Sequence, residues 1–305
     1  MAAMADPPFG RLLTAMVTPF AADGSIDLNA AATLAATLVD RDAHDGLVIN
    51  GTGGEAPTTS DAEKADLVRA VVDAVGDRAH VVAGVGTNDT AHTLELAAAA
   101  EKAGADGLLV VTPYYSKPPQ AGLVEHFRTL ADASGLPVML YDIPHRAGTA
   151  IASETLLLLS QHPRIVAVKD AKSDLVASAA VMAACDLAYY CGEDALTLPM
   201  LSIGGVGVVG TSTHFCGPET RALVEAALTG DPEEALRLHR QLLPIFTGIF
   251  ATQGAILVKA GLELQGRGVG GVRLPLVPAT PEQRAALGRA LDAAGLPSAP
   301  LPTRV

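Results

Sequence analysis

The chain of 305 residues has no tryptophan and three cysteines, and aromatic residues make up only 4% of it. Cys185, Cys191 and Cys216 show neither a C-x-x-C pair nor a metal-ligand spacing, so no disulfide framework or thiolate metal site is written here. An odd, sparse set of thiols fits a reducing cytoplasm. Charge is also scarce, at 18% of residues, and weighted to one sign: 21 Lys and Arg against 33 Asp and Glu give a net −12. No basic run or stripe interrupts that balance, which excludes a nucleic-acid surface. Small anionic substrates are not excluded, because one or two local cations decide those. No apolar run reaches about 18 residues, and the first nine residues lack the basic and apolar regions of a secretion signal. The expectation is a soluble, cytoplasmic protein with no membrane partner.

Small and β-branched apolar residues are plentiful, and the mean hydropathy is positive. Short apolar runs of strand length fall at 12–19, 46–50, 80–85, 107–112, 137–141, 165–170, 188–191 and 205–210. Helical stretches separate them. Asp27, Ser153, and Ser173 or Asp174 are candidate N-caps, and Ser60 with Glu63 spells a capping box. Eight strand–helix alternations with short linkers predict an α/β protein, a (β/α)8 TIM barrel. From Pro218 the pattern turns wholly helical, with breaks near 230–232, 248 and 266–268. The expected organisation is a barrel over 1–229 and a C-terminal helical appendix over 230–305. An open doubly wound sheet is the structural rival, since Gly205-Val-Gly-Val-Val-Gly210 matches a dinucleotide-loop pattern. Those glycines lie inside the valine-rich segment rather than between a strand and a helix, so close packing of a barrel strand is favoured.

One strand, Ile165-Val-Ala-Val-Lys169-Asp170, ends on a lysine. Such a lysine either snorkels to solvent or sits in a pocket, where desolvation favours the neutral, nucleophilic amine and Schiff-base chemistry. In a barrel the C-terminal strand ends share one mouth. There Lys169 would meet Thr52 with Gly53 and Gly54, Tyr114 and Tyr115, Tyr141 with Arg146, Gly192, and Val209. Lys169 can form an iminium with a keto acid, while the hydroxyls of Tyr141, Tyr115 and Thr52 move protons. Backbone N–H groups of the 51–54 loop can hold a carboxylate, and Arg146 offers a fork for a second one. The histidines show no metal pattern, and this chemistry requires no metal or organic cofactor.

Four segments in register, Gly51-Thr-Gly-Gly-Glu55, Val111-Thr-Pro-Tyr-Tyr115, Tyr141-Asp-Ile-Pro-His-Arg146 and Val168-Lys-Asp-Ala171, resemble the class I aldolase superfamily of dihydrodipicolinate synthase and N-acetylneuraminate lyase. The segments 112–120 and 192–199 are closest to its synthase branch, and the resemblance runs from about Leu12 to Leu276. It implies a Schiff base between Lys169 and pyruvate, and proton transfer by Tyr141 through Thr52 to Tyr115 of a neighbouring subunit. It also implies an L-aspartate 4-semialdehyde carboxylate on Arg146, and the Val209 carbonyl beside the pyruvate. The implied assembly is a homotetramer, a dimer of dimers.

Two positions depart from the family. Gly53 stands where a second threonine is usual, removing a hydrogen bond to a charged group worth about 1.5–3 kcal/mol. This departure leads to the expectation that Gly53→Thr tightens pyruvate binding. His145 replaces a small residue before the arginine, where it either shapes the mouth or faces solvent. The alternatives kept open are another 2-keto-acid aldolase or dehydratase and a paralogue that only binds ligand. At the positions of the relatives' inhibitory L-lysine pocket (Ala56, Pro57, Asp61, Lys64, Asn88, His92, Tyr114), only Asn88 and Tyr114 match the sensitive pattern. Weak or absent feedback is therefore expected.

Overall fold

The computed structural model describes residues 7–296 and residue 298. Its centre is a sheet of eight parallel strands: β1 (Leu12–Ala15), β2 (Gly46–Ile49), β3 (His80–Gly84), β4 (Gly107–Val111), β5 (Val138–Asp142), β6 (Ile165–Asp170), β7 (Ala188–Cys191) and β8 (Gly207–Gly210). Each pairs with the next, and β8 returns to β1, closing the barrel. Strand β1 is shorter than the apolar run that announces it. The N–H of Met16 still bonds to Val48, but that of Val17 turns to Nε2 of His214, which ends the ladder.

Period-two alternation sorts the strands into two faces. Leu13, Ala15, Val48, Val82, Leu109, Met139, Tyr141, Ala167, Tyr190 and Val209 fill the interior with Phe9. Their neighbours Leu12, Leu47, Ile49, Val81, Leu108, Leu140, Val168 and Val208 face the helices. Phe9 plugs the bottom, where the Tyr190 hydroxyl accepts from its N–H at 3.2 Å and donates to the Gly10 carbonyl at 2.9 Å. Gly207 shows why the dinucleotide-like pattern is no phosphate loop. A Cβ there would lie 2.1 Å from the Arg11 carbonyl oxygen, so this glycine allows β8 to approach the chain just before β1.

Local signals set the helices. Asp27 caps the helix Leu28–Asp40 through the Ala30 N–H, and Ser60 and Glu63 form the full capping box of Asp61–Val75. Asp174 rather than Ser173 caps Leu175–Met182, and Ala152 rather than Ser153 precedes the helix that begins at Ser153. The helix completing the barrel, Thr213–Thr229, begins before Pro218 because two pieces meet at a kink with non-helical Cys216. Pro218 thus stands near the start of the second piece, where a missing N–H costs little. Three helices follow, Pro232–Gly248, Gly254–Leu264 and Pro281–Ala293.

These later helices are clasped to the barrel mouth. Lys259 lies 2.7 Å from Glu55 in a fully buried ion pair and donates to the Gly271 carbonyl at 2.6 Å. Glu55 also accepts from the Arg273 N–H at 2.9 Å. The Phe20 ring carries Lys259 4.0 Å and Arg273 4.4 Å from its centre. Removing one member of such a pair strands the other charge, so Lys259→Met is expected to cost about 3–5 kcal/mol. The double variant Glu55→Gln/Lys259→Met is expected to recover much of that loss. Urea unfolding midpoints check it, and equal midpoints for single and double variants would count against the clasp.

Candidate active site

Strand register brings the two central groups together. Tyr141 on β5 pairs directly with Lys169 on β6, and both point inward by the alternation that buries Met139 and Ala167. The Lys169 amine lies 4.5 Å from the centre of the Tyr141 ring, and both residues are 5% exposed. The small side chain of Ala167 keeps the barrel interior from crowding the lysine stem.

Burial governs the protonation of both groups. It pushes the Lys169 amine down to about 8, although the charges of Asp194 and Cys191 pull the other way and Arg146 adds to the depression. An amine titrating near 8 is about 10% neutral at pH 7, some three-hundredfold more than an ordinary lysine. The same burial pushes the Tyr141 hydroxyl up to about 12, against a hydrogen bond from Thr52. Tyr141 therefore keeps its proton throughout the neutral range and serves as a donor and relay.

A cavity of about 230 Å³ opens onto these groups, lined by Ala15, Thr52, Gly53, Tyr141, Lys169 and Gly192 in its depth and by His145 and Arg146. Both of the last two are exposed. Burial and the Arg146 charge hold His145 below the usual imidazole range. Among the described residues, the Arg146 guanidinium has no hydrogen bond or ion pair, which leaves its donors free for an anion.

The 51–54 loop divides in two. The Gly54 N–H donates to the Gly51 carbonyl at 3.0 Å, and the Gly54 carbonyl accepts from the Thr18 hydroxyl at 2.6 Å. Among the described residues the N–H groups of Thr52 and Gly53 bond to no protein carbonyl, so these two can meet a carboxylate and Gly54 cannot. Gly54 and Val209 lie outside the cavity lining, with Val209 packed in the barrel interior. Tyr115 also lies outside it. Its ring is 90% exposed and its backbone is left-handed, at φ 70°. The hydroxyl chain within one protomer is therefore Tyr141–Thr52.

Glu193 stands with Gly192 at the end of β7, where a reading of strand ends already places it, and it lines the cavity. Several other wall residues escape such a reading: Thr211, and Phe250, Thr252, Gln253, Gly254 and Ala255 from the region expected to be an appendix. Nothing in 250–255 marks a site. Behind them, Asp194 accepts from the N–H groups of Thr211 and Ser212, both at 3.0 Å, and from the Ser212 hydroxyl at 2.5 Å. That fully bonded carboxylate locks the loop after β7 to the loop after β8. Among the described residues no group of three or more His, Cys, Asp or Glu is arranged to hold a metal, and no helix is long and apolar enough to cross a membrane.

Known proteins share this architecture throughout. The model of the dihydrodipicolinate synthetase family matches residues 8–294. A 4-hydroxy-tetrahydrodipicolinate synthase of Acidothermus cellulolyticus is 67% identical over 288 residues, covering 94% of this chain and 93% of the relative. The 4-hydroxy-tetrahydrodipicolinate synthase 2 of Streptomyces coelicolor is 60% identical, covering 95% and 96%. Among solved structures, a dihydrodipicolinate synthase of Cyanidioschyzon merolae with lysine bound superposes with a TM-score of 0.93 at 42% identity, covering 95% and 99%.

Proposed function

The chain belongs to the dihydrodipicolinate synthetase family, and from that premise we propose how its own residues carry the reaction. The activity is that of a lyase condensing pyruvate with L-aspartate 4-semialdehyde to 4-hydroxy-tetrahydrodipicolinate, in lysine and diaminopimelate biosynthesis. The neutral Lys169 amine adds to the pyruvate carbonyl, and loss of water leaves an iminium. A methyl proton then departs to give an enamine, whose carbon attacks the aldehyde. The amine of the aldehyde substrate finally adds to the former carbonyl carbon and displaces Lys169. Tyr141 and Thr52 deliver and receive the protons of these steps. The iminium is itself the electron sink, so neither metal nor organic cofactor is needed.

In this reading the Thr52 and Gly53 N–H groups hold the pyruvate carboxylate, Arg146 holds that of the aldehyde, and Gly192 lines the same cavity. The Val209 carbonyl borders the pyruvate, and His145 narrows the rim. A bulky residue held in left-handed backbone costs of the order of 1–3 kcal/mol, and Tyr115 gains no contact in its own cavity for it. We assign Tyr115 to the site of a neighbouring subunit within a homotetramer, and the protein to the cytoplasm, where its free thiols would persist. His92 lies 2.9 Å from Asp61, and the Lys64 amine donates to the Thr59 carbonyl at 2.5 Å. The Lys64 cation, with His92 in place of an acid, stands where an effector amine would bind, which supports a weak response to L-lysine.

The observation that carries the reading is the buried amine beside a buried, hydrogen-bonded phenol inside a cavity. Borohydride reduction with pyruvate tests it. A stable adduct confined to Lys169 is expected, and none at that residue would refute the imine.

Gly53 allows a second test, in which a close backbone contact works against the gain expected from sequence. A Cβ at this position would lie 3.1 Å from the Ala15 carbonyl oxygen, and that oxygen belongs to a strand of a closed barrel, which yields poorly. Crowding of this kind costs about 1–3 kcal/mol. Gly53→Ala is therefore expected to raise the pyruvate KM by about tenfold, and Gly53→Thr to regain only part of it through its hydroxyl. Steady-state kinetics of the pair check this, and a KM below wild type in either variant would contradict it.

A further inference from the structure

Two opposite charges line the cavity without partners. Arg146 is one and Glu193 the other: among the described residues the Glu193 carboxylate has no hydrogen bond and no ion pair, although it is half-buried. The two charges act on each other, yet they do not close into a salt bridge. An acid drawn partly out of water needs a cation or a set of donors to offset its desolvation; Arg146 offsets part of it without contact, and among the described residues no donor reaches the carboxylate. The adjacent Asp194 differs, since the loop after β8 saturates it. His145, the other titratable group at the rim, is held below the usual imidazole range by burial and the Arg146 charge. Gln253 is fixed as well. Its Oε1 accepts from the Ala255 N–H at 2.7 Å as the cap of the helix Gly254–Leu264, which leaves the amide NH2 as a donor in the wall.

We propose that Glu193 is a specificity residue that binds the α-ammonium of the aldehyde substrate while Arg146 holds its α-carboxylate. The proposal rests on the reading above and deepens it. An α-amino acid carries both charges on one carbon, and a free cation and a free anion across one cavity match that zwitterion. The Gln253 NH2 is a further donor in the same wall. An aldehyde with the carboxylate but no amine, such as succinate semialdehyde, gains nothing from Glu193.

The test compares these two aldehydes on full-length enzyme. Glu193→Gln keeps the shape of the side chain and removes its charge. Its KM for aspartate semialdehyde is expected to rise about tenfold to a hundredfold, while inhibition by succinate semialdehyde and pyruvate trapping at Lys169 stay within about twofold of wild type. Glu193→Asp, which keeps the charge, is expected to recover most of the loss. An unchanged KM for aspartate semialdehyde, or parallel weakening toward both aldehydes, overturns the proposal. Loss of pyruvate trapping in the wild-type enzyme would instead refute the imine reading, so the two failures are distinguishable.

Discussion

Lys169→Met is expected to end pyruvate trapping, to lower kcat by on the order of 10⁵–10⁶-fold as losing a covalent nucleophile does, and yet to stabilise the fold. The stability gain follows from the depressed titration of the amine, about 8 when folded against an ordinary 10.5. Below pH 8 both the folded and the unfolded chain carry the proton, and the folded state bears the whole cost of an ammonium in an apolar barrel. That cost is up to about 3 kcal/mol at 1.4 kcal/mol per unit. Between pH 8 and 10.5 the unfolded chain keeps a proton that the folded chain has released, so wild-type stability climbs with pH. The advantage of methionine should therefore be full at pH 7 and fade toward pH 10.5. Urea unfolding of both proteins at the two pH values measures it, and a gap independent of pH would mean the amine is not desolvated.

Tyr141→Phe should leave the ring in place beside Lys169 and remove only the hydroxyl that bonds to Thr52. Proton transfer by a positioned group contributes about 10²–10⁴-fold, and kcat is expected to fall by that much. Pyruvate KM should change little, because the proposed site for the carboxylate is the backbone N–H groups of another loop. Urea unfolding is expected to change by less than about 1 kcal/mol, as one buried hydrogen bond is lost along with the polar group that required it. Rapid-mixing measurement of imine formation checks the assignment. A variant that forms the imine and turns over at the wild-type rate would show that the protons travel elsewhere.

The barrel was legible because its strands are short, apolar and separated by capped helices, and each strand end carries its chemistry in adjacent letters. Lys169 and Tyr141 could be paired in advance, since parallel neighbouring strands deliver their tips to one rim. The limits were equally physical. Which glycine N–H groups remain free depends on turn hydrogen bonds, so Gly53 and Gly54 look alike as letters and differ in the fold. The sign of a substitution at Gly53 depends on a strand backbone that lies far off in sequence. The wall formed by Phe250, Thr252 and Gln253 follows the last strand, in a segment with no motif. It lies at the mouth at the start of the helix Gly254–Leu264, which is buried against the core and tied to the loop after β2 by the Lys259–Glu55 pair.

That wall has an evolutionary corollary. In the proposed mechanism, capture of the keto acid rests on strand tips that cannot drift without dismantling the barrel, whereas the cavity wall facing it belongs partly to a segment outside the barrel. Mutational libraries confined to 250–255 should thus broaden or redirect acceptor scope while sparing the imine.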